Sequence, residues 1–243
     1  MMNTLIFAPA RSGSTSLYNA IHAMVGMEPN PIGLEPFDSQ KTHASRKTSN
    51  IITYTIRQAK IVKHLWNQVS PADNREIINA AGIQKIILLY RRRVFSQAIS
   101  RLVARVTREW ATPTSDQAPF AIYNDTVFTQ IQYFLCSLDV NARLVVSSGV
   151  PAMVTAYEDL YSQKLITSRG ELRRVIKFLG IYKPDIDAAM EFLDPRNKYK
   201  NSNYYRSVLL NFNDLSRLYG KYDNYFAAVD RRPEQMMRLR CHP

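Results

Sequence analysis

Apolar and polar positions change their spacing twice near the start of the chain. The short, mostly apolar run Thr4–Phe7 predicts a buried strand. From Leu17 onward, apolar residues recur at i, i+3, i+4, i+7 and i+8, which is the spacing of one buried helix face. The segment Ala8–Thr15 lies between these two patterns and has the length of a strand-to-helix loop. The pattern therefore predicts a strand–loop–helix unit.

Further apolar runs alternate with helical patterns along the rest of the chain. Strands are predicted at Ile61–His64, Lys85–Tyr90 and Pro151–Ala156. Helices are predicted from Ser70 to a stop at Gly82, from about Val94 to Trp110, and over Tyr123–Leu138. After Ala156 the pattern is mainly helical. This alternation predicts an α/β fold in which a parallel sheet is flanked by helices in three layers, as in P-loop NTPases.

Length and charge narrow the picture. A chain of 243 residues, 46% of them hydrophobic, is long enough for one core and short for two, so one domain over residues 1–243 is expected. The net charge of +12 favours anionic partners such as nucleotides, nucleic acid or sulfated ligands. The two cysteines have no metal or disulfide spacing, and neither a signal peptide nor a membrane span is indicated. A cytoplasmic location is expected.

The loop between the first strand and helix has the chemistry of an anion site. Unpaired backbone N–H groups and the positive end of the dipole favour an anion at a helix N-terminus. A nucleoside triphosphatase needs Gly-Lys-[Ser/Thr] here, with the hydroxyl on magnesium. In this chain Gly13 is followed by Ser14, and the positive charge comes earlier, on Arg11. The loop is thus predicted to bind a phosphate-like anion rather than Mg·ATP.

A second anion site is predicted where the strand Lys85–Tyr90 ends in three arginines, Arg91–Arg93. Ligands of open α/β sheets bind at this end of the strands, and the arginine fork suits a phosphate. Ser100 follows Arg92 by eight residues and is placed to donate a hydroxyl to the same anion. On the helix that follows, one face is expected to be core (Phe95, Ile99, Leu102, Val106) and another a solvated basic face (Arg101, Arg105, Arg108).

With two anion sites, the chain resembles the sulfotransferases that use 3′-phosphoadenosine 5′-phosphosulfate (PAPS), particularly the bacterial carbohydrate type typified by trehalose 2-sulfotransferase. The family's Arg-Ser-Gly-Ser-Thr loop is matched in full at Arg11-Ser12-Gly13-Ser14-Thr15. The resemblance implies that this loop binds the 5′-phosphosulfate and that Arg92 and Ser100 hold the 3′-phosphate. An Asp or Asn often follows the family's arginine. Here Arg93 stands instead, so the register among the three arginines stays open by one residue.

Shorter elements extend the resemblance. Glu35-Pro36-Phe37, with Glu28-Pro29 as a rival, is similar to a Glu-Pro element of the family, and Lys63–Gln68 is similar to its Lys-x-x-Trp-Asn-Gln segment. Tyr157–Leu160 resembles a frequent strand-end element, and Asn197–Ser202 is a candidate for the basic loop that closes over the nucleotide.

The implied reaction is metal-independent sulfuryl transfer from PAPS to an acceptor hydroxyl, with a carbohydrate favoured by the subgroup. Glu35 is our candidate for the general base, and Lys63 for the partner of the sulfuryl or bridging oxygen. His64 is the other candidate base. Glu158 and Asp159 are expected to cap the next helix or hold loop amides rather than touch substrate.

Two other functions stay open. One is a nucleotide-dependent P-loop small-molecule kinase, against which the missing Gly-Lys pair argues. The other is a non-enzymatic basic protein that binds nucleic acid through the arginine stripe, although no nucleic-acid-binding motif is present. The sulfotransferase interpretation implies a small-molecule or glycan acceptor as the partner. It implies neither a nucleic-acid partner nor a membrane span. The sequence is silent on the oligomeric state.

Overall fold

The computed structural model describes residues 3–37, 49–108, 118–194 and 202–228. Its strands are β1 (Thr4–Ala8), β2 (Ile61–Leu65), β3 (Lys85–Tyr90) and β4 (Ala152–Ala156). The helices up to β4 are α1 (Ser14–Met24), α2 (Ser49–Ala59), α3 (Pro71–Ile78), α4 (Val94–Thr107) and α5 (Asn124–Ser147). Those after β4 are α6 (Tyr157–Leu160), α7 (Leu165–Leu179), α8 (Ile186–Leu193), α9 (Ser202–Val208), α10 (Phe212–Tyr219) and α11 (Tyr225–Ala228). Short 3-10 turns occur at Pro31–Gly33, Trp66–Gln68 and Gly220–Asn224.

The strands of the described residues form one parallel sheet in the order β2-β1-β3-β4. In register, Thr4 of β1 lies opposite Ile61 of β2 and Lys85 of β3, and Ile86 pairs with Ala152 of β4. Because all the strands run in one direction, their carboxyl ends share one edge of the sheet. The loops that carry the predicted site residues therefore meet at that edge.

Both faces of this sheet are buried, which explains why its strands are continuous apolar runs. Leu5 and Phe7 point to one face and pack with residues of α2, α3, α4 and α5. Ile6 and Ala8 point to the other face, which is covered by residues of α1, α7 and α8. The predicted α/β fold, a parallel sheet between two helical layers, is confirmed.

Helix boundaries depart from the prediction in several places. Helix α4 ends at Thr107, before the predicted Trp110, because Arg108 takes a left-handed conformation. Helix α3 begins as expected, with Ser70 and Asp73 forming a reciprocal capping box, but it ends at Ile78, before Gly82. Helix α5 continues to Ser147, nine residues past the predicted end, because Ala142 and Val145 are still buried against the core. Helix α2 was not predicted at all.

The predicted faces of α4 need two corrections. Phe95, Ile99 and Leu102 are buried, but Val106 is 57% exposed because it lies in the last turn, beyond the end of the core. Arg101 does not belong to a purely solvated face: its guanidinium lies 5.1 Å from the centre of the Tyr133 ring on α5. A cation above an aromatic face is attracted electrostatically, so Arg101 helps to join the two helices.

Gly33 marks a close approach between the chain that leaves α1 and the start of β2. A Cβ at this position would overlap the Ile61 carbonyl oxygen and lie 2.7 Å from the Tyr18 hydroxyl. Gly170 in the middle of α7 is the opposite case, since an added Cβ would have nothing within 4 Å.

We expect Gly33→Ala to destabilise the fold by about 1–3 kcal/mol through overpacking. Gly170→Ala is the matched control and should stabilise the fold by about 0.5–1 kcal/mol, because alanine has the better helix propensity. Urea unfolding of both variants measures these differences. Equal effects of the two substitutions would contradict the close approach at Gly33.

Candidate functional site

The loop between β1 and α1 is folded tightly around two left-handed residues, Arg11 with φ 65° and Gly13 with φ 79°. Gly13 has no room for a side chain, because a Cβ would lie 2.7 Å from the Tyr161 ring and 2.8 Å from the Tyr157 ring. The Tyr161 hydroxyl donates to the Gly13 carbonyl oxygen at 2.6 Å, and Leu17 N–H donates to the same oxygen. This packing fixes the position from which the first amides of α1 can face an anion.

Ala10, at the start of this loop, is hydrogen-bonded through both its N–H and its carbonyl group. Ala10 N–H donates to Asn67 Oδ1 at 2.8 Å, and the Ala10 carbonyl accepts from Gln97 Nε2 at 2.8 Å. Ser12 Oγ donates to the Pro9 carbonyl oxygen at 2.8 Å. The loop conformation is therefore set by residues that follow β2 and begin α4, as well as by its own sequence.

Lys63 connects the loop to the candidate base. Its side chain is only 4% exposed, its Nζ donates to Thr15 Oγ1 at 2.7 Å, and it forms an ion pair with Glu35 Oε1. The other carboxylate oxygen, Glu35 Oε2, accepts from Gln68 Nε2 at 2.7 Å. The structure thus brings together Thr15, Glu35 and Lys63, three residues that the sequence singled out, and adds Gln68.

Glu35 reaches this place through a series of backbone constraints. The Tyr18 hydroxyl donates to the Asn30 carbonyl oxygen at 2.5 Å, which ties the chain after α1 back onto that helix. Leu34 forms a parallel bridge with Lys63, and Glu35 N–H donates to the Lys63 carbonyl oxygen at 2.9 Å. Glu35 itself has φ 56°, a left-handed conformation that is uncommon for a residue other than glycine and is found at functional sites.

His64, the other candidate base, lies in a different environment. It is fully buried, its Nε2 lies 2.8 Å from Asn74 Oδ1, and its ring stacks on Phe7 with centroids 5.8 Å apart. Asn74 Nδ2 in turn donates to the Trp66 carbonyl oxygen at 2.8 Å. Neighbouring strand residues point to opposite faces of a sheet, so Lys63 and His64 face different layers.

Arg91 and Arg92, which follow β3, make different contacts. Arg91 lies against the loop: its Nη1 donates to the Arg11 carbonyl oxygen at 3.4 Å, and its guanidinium is 4.7 Å from the centre of the Tyr157 ring. Arg92 forms a bidentate pair with Asp159, at 2.7 and 2.5 Å. Ser100 Oγ accepts from Arg11 Nε at 2.8 Å. Ser100 thus contacts the loop arginine, whereas Arg92 contacts a carboxylate on α6.

Glu158 behaves as the sequence predicted, whereas Asp159 does not. Glu158 accepts from the backbone N–H groups of Arg92 and Arg93 at 2.9 and 3.0 Å. These two bonds hold the turn between β3 and α4, which confirms for Glu158 the expectation that it holds loop amides. The side-chain pairing of Asp159 with Arg92 was not anticipated, because the two residues are 67 positions apart.

The electrostatic environment of Arg11 is unusual for an arginine. Burial lowers the pKa of its guanidinium, the phenol of Tyr205 on α9 raises it, and the nearby positive charge of Arg91 lowers it. Tyr205 is only 5% exposed. Two arginines held close to each other beside the N-terminus of α1 favour the binding of an anion there.

Burial also keeps two tyrosines around the loop in the neutral form. It raises the pKa of Tyr157, and it raises the pKa of Tyr161 well above its usual value. A neutral Tyr161 keeps the O–H donor that the Gly13 carbonyl accepts. No pattern in the sequence pointed to this tyrosine, whereas Asn67, Gln68 and Gln97 all lie in segments that carried the resemblance.

Within the described ranges, no group of three or more His, Cys, Asp or Glu side chains is placed to hold a metal ion. No helix in the described part of the chain is long and apolar enough to cross a bilayer. Residues 195–201, which include most of the predicted basic loop Asn197–Ser202, and Trp110 lie outside the described residues.

The chain has a structural likeness to a known protein. No protein-family model matches the chain, and no curated protein matches it. Among solved structures it is similar to the sulfotransferase domain from the Synechococcus PCC 7002 olefin synthase, at 14% sequence identity and a TM-score of 0.46. The alignment covers 100% of this chain and 95% of that domain.

The buried phenol of Tyr18, which is hydrogen-bonded to Asn30, should make the stability of the fold depend on pH. Burial raises the pKa of Tyr18 from 10.0 to about 12. As the pH rises, Tyr18 ionises in the unfolded chain at a lower pH than in the folded protein. The stability that its neutral, buried phenol contributes is therefore complete below pH 10 and is lost as the pH rises to about 12. The shift corresponds to about 2–3 kcal/mol.

We expect Tyr18→Phe to remove this part of the alkaline loss, so that its free energy of unfolding falls less than that of the wild type between pH 9 and the highest accessible pH. Urea unfolding at a series of pH values measures the difference. Tyr54→Phe, at a tyrosine that is 64% exposed, is the control. Parallel curves for the wild type and Tyr18→Phe would show that Tyr18 does not contribute.

Proposed function

We propose that this protein is a sulfotransferase that moves the sulfuryl group of PAPS to an acceptor hydroxyl. The observation that carries the proposal is the Lys63 ammonium, which contacts both Thr15 of the loop and the Glu35 carboxylate. A cation and a carboxylate therefore stand next to a loop suited to an anion. In-line transfer to a hydroxyl needs these three groups together, since positioning and electrostatics do most of the work in such transfers.

The residues present fit a phosphosulfate group. The left-handed Gly13 and the start of α1 offer backbone N–H groups, while Arg11 and Lys63 supply positive charge beside them. When bound, PAPS supplies a sulfuryl group whose bond to the 5′-phosphate oxygen breaks as a new S–O bond forms to the acceptor. On the family resemblance, we assign Arg11 and the segment Ser12–Thr15 to the 5′-phosphosulfate.

Glu35 is the proposed general base and Lys63 the proposed electrostatic partner. The carboxylate accepts the proton that the acceptor hydroxyl loses, a contribution typically of about 10²–10⁴-fold. Lys63 lies between this carboxylate and Thr15, so its charge is available to the transferring group and to the leaving phosphate. Full burial and the bond to Asn74 favour a structural role for His64 over the role of base.

A contact of Thr15 argues against the kinase alternative. In a nucleoside triphosphatase the hydroxyl after Gly-Lys coordinates magnesium. Thr15 occupies the corresponding position two residues after Gly13, and its Oγ1 accepts a hydrogen bond from the Lys63 ammonium. A hydroxyl that faces an ammonium is poorly placed to share a divalent cation, because the two positive charges repel each other.

The nucleic-acid alternative loses part of its basis on α4. Its arginine stripe required three free guanidinium groups on one helix face. Arg101 instead stacks against Tyr133 and Phe134 of α5, and Arg108 ends the helix in a left-handed conformation. Arg105 and Arg108 are exposed, so the stripe keeps two of its three guanidinium groups.

The proposed acceptor is a hydroxyl of a carbohydrate. This choice comes from the resemblance to the bacterial carbohydrate subgroup. The partly buried polar groups at the edge of the site, Glu35 and Gln68, are compatible with a polar acceptor. A free sugar or a glycan would serve equally as the partner.

Nucleotide binding tests the two anion sites separately. We expect 3′-phosphoadenosine 5′-phosphate to bind more tightly than AMP and without magnesium. Arg92→Ala should weaken its binding about 10–100-fold and leave AMP unchanged, because a charge-assisted bond to the 3′-phosphate is lost. Arg91→Ala should weaken both nucleotides, because Arg91 lies against the loop that takes the 5′-phosphate. Calorimetric titration measures each affinity.

The same titrations can contradict the proposal. Equal binding of AMP and the 3′-phosphorylated nucleotide by the wild type, or a preference for Mg·ATP, would exclude the two-anion site and favour the kinase. If Arg91→Ala rather than Arg92→Ala removes only the 3′-phosphate preference, the register moves by one residue. Arg169→Ala, at an exposed ion pair on α7, is the control for a simple loss of positive charge.

Kinetics test the base. We expect Glu35→Gln to lower kcat about 10²–10⁴-fold, while the calorimetric affinity for 3′-phosphoadenosine 5′-phosphate stays within about twofold. The assay follows radiolabelled sulfate from PAPS into a panel of mono- and disaccharides that includes trehalose. His64→Gln is the matched control. A loss of kcat in His64→Gln with full activity in Glu35→Gln would transfer the role of base to the histidine.

A further inference from the structure

The 3-10 turn Trp66–Gln68 lies directly after β2 and contacts both halves of the proposed reaction centre. Asn67 reaches the loop, where its Oδ1 accepts from Ala10 N–H at 2.8 Å. Gln68 reaches the carboxylate, where its Nε2 donates to Glu35 Oε2 at 2.7 Å. Two adjacent residues thus hold two elements that are 25 residues apart in the sequence, at positions 10 and 35.

The backbone of this turn is held in place by a buried side chain and by hydrogen bonds. Trp66 is 2% exposed and packs on Phe7 with ring centroids 5.2 Å apart. Its carbonyl oxygen accepts from Asn74 Nδ2, and Asn74 is held in turn by His64. The buried tryptophan and this pair of hydrogen bonds fix the backbone from which Asn67 and Gln68 diverge.

We propose that Asn67 and Gln68 are separate positioning residues, Asn67 for the cosubstrate loop and Gln68 for the general base. This inference rests on the function proposed above. Neither residue needs to touch a reacting atom. Asn67 acts through the Ala10 peptide, which Gln97 holds from the other side, and Gln68 acts through the carboxylate of Glu35.

Asn67 and Gln68 should affect different steps, because Asn67 bonds to the cosubstrate loop and Gln68 bonds to the proposed general base. The Asn67 bond fixes the residue directly before Arg11, so its loss lets the entry of the anion loop move and weakens nucleotide binding. The Gln68 bond donates to the ionised carboxylate and so favours the charged form of Glu35. The Lys63 ammonium contacts that carboxylate and also donates to the Thr15 hydroxyl of α1.

The test compares two substitutions of similar size with one conservative rescue. We expect Asn67→Leu to weaken binding of 3′-phosphoadenosine 5′-phosphate about tenfold in calorimetry, with the pH of the acid limb of kcat unchanged. Asn67→Asp keeps an acceptor for Ala10 N–H and should restore most of the affinity. Urea unfolding of each variant verifies that the fold is retained.

For Gln68→Met, which keeps the length of the side chain and removes the donor, we expect nucleotide affinity to stay within twofold. The acid limb of kcat should move to higher pH by about one unit, since the carboxylate loses a bond to its charged form. A carboxyl ¹³C NMR titration of the ligand-free protein should show the same upward shift for Glu35. This readout does not depend on turnover.

The outcomes separate the two proposals. If the wild type binds no 3′-phosphorylated nucleotide and transfers no sulfate, the proposed function fails, whatever the variants do. If the wild type binds and turns over but Asn67→Leu and Gln68→Met alter affinity and the pH profile alike, the division of roles is wrong. An unchanged Glu35 titration in Gln68→Met would also overturn the role of Gln68.

Discussion

The buried ammonium of Lys63 is the constraint on which the candidate site depends. A charged side chain that is only 4% exposed must be paired, because an isolated buried charge is too costly to keep. Its partners come from two other parts of the chain: the Thr15 hydroxyl at the start of α1 and the Glu35 carboxylate after the Pro31–Gly33 turn. The pairing therefore places the loop, the second strand and the carboxylate in one small volume.

The parallel sheet supplies the common edge at which this pairing takes place. Because β1, β2, β3 and β4 all end on the same side, the loop after β1, the turn after β2, the arginines after β3 and the carboxylates after β4 become neighbours. Each strand end then holds part of another: Asn67 holds the loop, Glu158 holds the turn at Arg92, and Tyr161 holds Gly13. The site is a network between strand ends more than a property of one loop.

The sheet could be predicted from the chain because its strands are short apolar runs buried on both faces. The loop could be predicted too, because Arg11, Gly13 and Thr15 combine anion chemistry with a tight turn. Helix α2 could not, since its β-branched residues, such as Ile52 and Thr55, favour strands locally and become helical through tertiary packing.

The contacts between site residues were harder to anticipate than the residues themselves. Glu35 and Lys63 were both expected at the site, but their ion pair depends on a path through Gly33 that no local pattern encodes. The same is true of Arg92 and Asp159, which pair across 67 positions. Residue type carries the chemistry, whereas distances between remote residues follow from the whole topology.

The bond between Tyr161 and Gly13 joins residues that are 148 positions apart. During synthesis the loop is made well before the tyrosine that fixes it. Forming such a long-range contact requires the closure of a large part of the chain, which is slow compared with the formation of local helices. The loop thus gains its final shape only after β4 has joined the sheet and α6 has formed, so the shape of the loop reports on completed folding.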